Sequence, residues 1–152
     1  MEKLILALGS DILMDDALSI ILARDIIQLF PDFKMQILPV GGIEIIELIA
    51  GCNLVVIIDT LISSDGKPGD IILFNDLQSV RTLHLQNPHD VDFLTSIKLA
   101  EETGYRIPEK IVVLGVRIRQ QLIASLAPSL WIRKKYSQMI EQISTIIRQV
   151  SI

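Results

Sequence analysis

Short runs of aliphatic residues alternate along this chain with longer stretches of helical periodicity. Leu4 to Leu8 is an apolar run closed by Gly9, the pattern of a buried strand. After a polar segment around Asp11, Leu18, Ile21, Leu22, Ile26 and Leu29 recur at three- and four-residue spacing, which predicts a helix from about Asp16 that Pro31 ends. Met35 to Val40 reads as a second strand before Gly41-Gly42, and Ile43 to Ala50 as a short helix stopped by Gly51. Leu54 to Ile58 is unbroken Leu-Val-Val-Ile-Ile, as expected of a strand covered on both faces.

The second half continues in the same way. Thr60 to Gly69 is polar and rich in turn residues. Asp70–Phe74 and Val80–Leu83 are weaker strand candidates, suited to a hairpin or an edge. A helix is expected from about Asp90 to Thr103, a strand over Lys110–Val116, and a final helix over about Ser129–Val150. The last carries a stripe of Tyr136, Met139, Ile140, Ile143, Ile147 and Val150. This order predicts an α/β fold: a three-layer α/β/α sandwich around a central, twisted, mostly parallel sheet, with Leu4–Leu8 and Leu54–Ile58 inside it. With no repeat or linker visible, residues 1–152 read as a single domain.

Composition narrows the function classes. Half the residues are hydrophobic, enough for a substantial core. The net charge of −4 and the lack of any basic block longer than Arg133-Lys134-Lys135 argue against nucleic acid as a partner. One cysteine, Cys52, excludes an intrachain disulfide, fits a reducing compartment and reads as a small core residue. Glu2 and Asp11 spoil a signal-peptide reading, and the apolar runs are too short to span a bilayer, so a cytoplasmic protein without a membrane partner is expected.

In a parallel sheet, ligands gather beyond the carboxyl ends of the strands. Those ends lead into Asp11, Asp15 and Asp16, into Gly41-Gly42, into Asp59, and into Arg117 and Arg119. Asp16 has two readings, a helix-capping acid or a ligand. Asp59 follows five aliphatic residues, so its carboxylate needs a donor, a charge or cleft solvent; it is either a turn-capping residue or a ligand. His89, between Pro88 and Asp90, is either a helix-entrance residue or a ligand. His84 has no acidic neighbour in sequence and reads as surface. Two carboxylates and an imidazole make an incomplete metal site for a borderline ion such as Ni²⁺, Zn²⁺ or Mn²⁺, with positions left open. No GxGxxG, Walker A or G-x-S-x-G pattern is present, so no organic cofactor is expected.

The segment Leu8-Gly9-Ser10-Asp11-Ile12-Leu13-Met14-Asp15-Asp16-Ala17-Leu18-Ser19 resembles the opening motif of the hydrogenase maturation proteases. In that resemblance the first metal-contacting acid falls on Asp16. The second falls on Asp59, in Val55-Val56-Ile57-Ile58-Asp59-Thr60, and the histidine on His89, in Asn87-Pro88-His89. Gly41-Gly42 and Val112-Val113-Leu114-Gly115-Val116 also match in place. The resemblance implies an endopeptidase that recognises nickel already inserted in the precursor of a hydrogenase large subunit and removes the precursor's C-terminal extension. Asp16, Asp59 and His89 would be its catalytic, metal-contacting trio, and the nickel would come with the substrate protein. The sequence departs from the family pattern at Ser10, Ser19, Ile43 and Arg117-Ile118-Arg119. The alternative is a non-proteolytic relative that binds a metal or a protein tail, for which Arg117 and Arg119 would grip a carboxylate or phosphate. A third class is a flavodoxin-like small-molecule binder. The expected general base is not evident; Asp15 is the nearby candidate.

Overall fold

The computed structural model describes residues 1–9, 17–39, 42–62, 65–85, 92–118 and 130–152. Five strands form one sheet: β1 (Lys3–Leu8), β2 (Phe33–Leu38), β3 (Leu54–Ile62), β4 (Ile71–Phe74) and β5 (Lys110–Ile118). Their order is β2-β1-β3-β5-β4. β1 pairs in parallel with β2 and β3, β3 in parallel with β5, and β4 lies antiparallel on the edge beside β5. β1 and β3 are therefore interior, which is where their continuous aliphatic runs belong, because a strand buried on both faces has no polar side to show.

Among the described residues, four helices cover the sheet: α1 (Leu18–Ile26), α2 (Glu44–Ile49), α3 (Phe93–Glu102) and α4 (Leu130–Val150). The period-2 alternation of the strands sorts the core into two halves. Ile5, Ala7, Val56, Ile58, Val112 and Leu114 pack with Leu18, Leu22 and Ile26 of α1 and with Met139, Ile143 and Ile147 of α4. Leu4, Leu6, Leu8, Val55, Ile57 and Val113 pack on the opposite face with Ile45, Ile46 and Ile49 of α2 and Phe93, Ile97 and Ala100 of α3. Each fully buried Leu or Ile of this kind contributes roughly 1.5–3 kcal/mol. Cys52 belongs to the second half, and burial raises its thiol pKa, as suits a core residue rather than a nucleophile.

Several expected boundaries shift. α1 spans Leu18–Ile26 and then tightens into a 3₁₀ turn, Ile27–Leu29. Three residues per turn rotates Leu29 off the apolar stripe, leaving it 51% exposed, while Ile20 is buried in the helix's contact face. α3 begins at Phe93, with the Asp92 carboxylate accepting from the Thr95 N–H at 2.8 Å as its cap. The second member of the expected strand pair, Val80–Leu83, is not a strand; a 3₁₀ turn at Leu77–Ser79 leads into an extended, then turning, segment. Among the described residues, no helix is long and apolar enough to cross a membrane.

Candidate functional site

β3 does not end at Ile58 as its hydropathy suggests. It continues through Asp59 and Thr60 to Ile62, paired residue by residue with β5 up to Ile62↔Ile118. Its pairing with β1 stops earlier, at Ala7↔Ile58. Asp59 is thus the first residue of β3 beyond the reach of β1, inside the strand rather than in a loop. The segment after the Leu77–Ser79 turn is held against this extension. Leu83 N–H donates to the Thr60 carbonyl at 2.8 Å.

Asp59 is fully buried, with 0% of its side chain exposed. Among the described residues, its carboxylate meets three donors. Oδ1 accepts from the Thr60 N–H at 2.8 Å and from His84 Nδ1 at 2.7 Å. Oδ2 accepts from the His84 N–H at 2.8 Å. A carboxylate oxygen accepts from an imidazole nitrogen that carries the proton, so this contact corresponds to the Nδ1–H tautomer of His84. The His84 side chain is 14% exposed, so it is the more accessible partner of the two. His84 is therefore not a surface residue, as the sequence suggested. Its acid lies 25 positions earlier and is brought to it by the fold.

Gly115 of β5 stands opposite Asp59 in the register. A Cβ there would lie 3.0 Å from Phe74 Cε2 and 3.4 Å from Thr82 Cγ2. A glycine inside a strand often marks such a close approach. Here it leaves room for the Phe74 ring, with Thr82 in contact beside it. Beyond His84, Leu85 is buried. It lines a cavity of about 310 Å³ with Leu77, Val80, Arg81 and Phe93.

Asp16 and His89 lie outside the described residues, as do Asp11, Asp15, Gly41 and Arg119. The N-cap of α1 falls on Ala17, with no side-chain cap bond. The cap of α3 falls on Asp92 rather than at His89 or Asp90. Among the described residues, no group of three or more His, Cys, Asp or Glu is arranged to hold a metal ion. Arg117, read as a possible anion grip, is engaged within the chain. Its guanidinium donates to Asp70 Oδ2 at 3.0 Å, and its backbone exchanges bonds with Gly69 and Asp70.

A family model described as hydrogenase maturation protease, HycI, matches residues 39–146, well over half of the chain. That span includes Asp59 and His89 and begins beyond Asp16. Comparison with curated protein sequences gives no match. Among solved structures, the chain is similar to the hydrogenase maturating endopeptidase HybD from Escherichia coli, with a TM-score of 0.73 and 21% identity over 99% of this chain and 94% of that one. It is also similar to two [NiFe] hydrogenase maturation proteases from Thermococcus kodakarensis. HycI gives a TM-score of 0.62 at 24% identity, covering 97% of this chain and 92% of that one. HybD gives 0.63 at 22% identity, covering 96% and 99%. At these identities the structural likeness speaks for the fold, while the family model speaks for descent. The chain belongs to the hydrogenase maturation protease family.

Proposed function

We propose that this protein is an endopeptidase that removes the C-terminal extension of a hydrogenase large-subunit precursor already loaded with nickel. The observation that carries the reading is Asp59: a fully buried carboxylate just beyond the β1 pairing of an interior strand, at the carboxyl end of a parallel sheet. That is where ligands collect in such folds. Family membership supplies the reaction class.

In this reading the nickel is part of the substrate, and Asp16, Asp59 and His89 complete its coordination. The donor set suits the ion, since carboxylate oxygen and imidazole nitrogen are both ligands for Ni²⁺. Asp59 fits this role by acceptor count. Among the described residues Oδ1 takes two donors and Oδ2 takes one, which leaves an acceptor position on Oδ2. Recognition through the metal would make cleavage conditional on nickel insertion, and the chemistry such an ion would supply is polarisation of a carbonyl or activation of a water.

The test mixes the protein with candidate precursors, with and without nickel, and follows the size of the large subunit. Cleavage restricted to nickel-loaded precursor, and lost in Asp16→Asn, Asp59→Asn and His89→Ala, is the expected result. Equal cleavage by wild type and Asp16→Asn, or cleavage of nickel-free precursor, defeats the mechanism. Failure to cleave any precursor favours a non-proteolytic relative.

A further inference from the structure

We infer that His84 is the positioning residue of Asp59, a clamp that engages both carboxylate oxygens and, among the described residues, leaves the open acceptor position on Oδ2. The inference rests on the endopeptidase reading for its catalytic consequence, but the clamp itself stands on geometry alone.

A single residue reaches both oxygens. The main chain of His84 donates to Oδ2 at 2.8 Å, and its ring Nδ1 donates to Oδ1 at 2.7 Å. Two contacts from one residue fix the rotation of the carboxylate about its Cβ–Cγ bond, which is otherwise broad for Asp. The Thr60 N–H fills the second acceptor position of Oδ1 at 2.8 Å. With both acceptor positions of Oδ1 filled by described residues, Asp59 would meet a metal through one oxygen rather than two.

The position of His84 is itself determined from three sides. Leu83 N–H is bonded to the Thr60 carbonyl on one side of it in sequence. Leu85 is anchored in the apolar core on the other. Thr82 lies over Gly115, with its Cγ2 3.4 Å from where a Cβ would stand. A ligand fixed by such an outer partner keeps its orientation when a metal arrives, and loss of an outer partner typically reduces affinity or activity about 10- to 100-fold.

The test uses three substitutions. Asn at 84 places an amide N–H near the position of Nδ1, Gln places its amide near Nε2, and Leu removes both. Processing of nickel-loaded precursor should fall about 10- to 100-fold in His84→Leu. It should recover substantially in His84→Asn and remain low in His84→Gln, with cooperative thermal unfolding retained by all three. ¹H–¹⁵N NMR of the wild-type imidazole should show the proton on Nδ1. A proton on Nε2, unchanged processing in His84→Leu, or rescue by Gln rather than Asn overturns the inference. Should the wild type cleave no precursor while NMR shows the Nδ1 proton, the endopeptidase reading fails and the clamp stands as a bond without that catalytic role.

Discussion

Asp59 and Gly115 face each other across the β3–β5 ladder, and the missing side chain at 115 leaves room for the Phe74 ring on the edge strand, with Thr82 in contact beside it. Gly115→Ala puts a methyl group 3.0 Å from Phe74 Cε2 and 3.4 Å from Thr82 Cγ2. The ring of the half-buried Phe74 is the neighbour that must give way, whereas the approach to the buried Thr82 is close to ordinary contact. Overpacking of this kind costs about 1–3 kcal/mol. Urea denaturation should show that loss, larger for Gly115→Val than for Gly115→Ala. Neutral substitutions at 115 would mean that the Phe74 ring is not packed against β5 there.

Removing the Asp59 carboxylate should cost stability as well as any activity. Asp59→Ala leaves the Thr60 and His84 N–H groups and the His84 ring nitrogen without their acceptor. A buried donor left unpaired costs about 1–3 kcal/mol. Asp59→Asn keeps the shape but turns one acceptor into a donor that must face a donor. Both variants should therefore unfold at lower urea than the wild type, with Asn the milder of the two. An Asp59→Asn protein as stable as the wild type contradicts the three-donor arrangement.

The strands were readable because aliphatic runs such as Leu54–Ile58 register burial on both faces directly. The continuation of β3 through Asp59 to Ile62 was not readable, since pairing with β5 is a main-chain property that a polar residue conceals. Val80–Leu83 looked like a strand because Val80 and Thr82 are buried while Arg81 and Leu83 are exposed, the same alternation a strand would show. Its recorded main-chain link to β3 is the Leu83–Thr60 bond, too little to make a ladder. Asp59 was legible as a candidate from its place after five aliphatics. His84 was missed because its partner is distant in sequence and no local pattern records that pair. Gly115, a lone glycine in the middle of an apolar strand, was the available signal of a close approach there.

The turn before β4 is organised around Arg117, whose guanidinium lies against Gly66 and donates to Asp70. Gly66 has φ +82°, and a Cβ there would come within 1.7 Å of Arg117 Nη1. Gly66→Ala therefore carries two penalties, a left-handed backbone of about 1–2 kcal/mol and displacement of the guanidinium. Arg117→Ala loses the partly exposed ion pair and the packing of the aliphatic stem. In the double variant the clash has no partner, so the two losses should be less than additive, coupled by about 0.5 kcal/mol or more. A denaturation cycle with strictly additive losses would show that the two residues do not meet.

Asp92 supplies a pH-dependent contribution that can be isolated. Its carboxylate accepts the Thr95 N–H at 2.8 Å, and that bond, first among the causes, holds its pKa below the ordinary range. The sign follows from linkage: the folded state prefers the ionised form, so the contribution is fully present above the unfolded pKa of about 3.9. It is lost as the pH falls through the lower, folded value. Asn caps a helix about as well as Asp and does not titrate, whereas Ala provides no cap and costs about 1 kcal/mol. Against Asp92→Ala, the wild type should hold its margin from pH 7 down to about 4 and lose part of it at lower pH. Asp92→Asn should keep a nearly constant margin over Ala throughout. Thermal unfolding of the three proteins between neutral and acidic pH separates these outcomes. A wild-type margin over Ala that does not shrink in acid rules out an ionised cap at the start of α3.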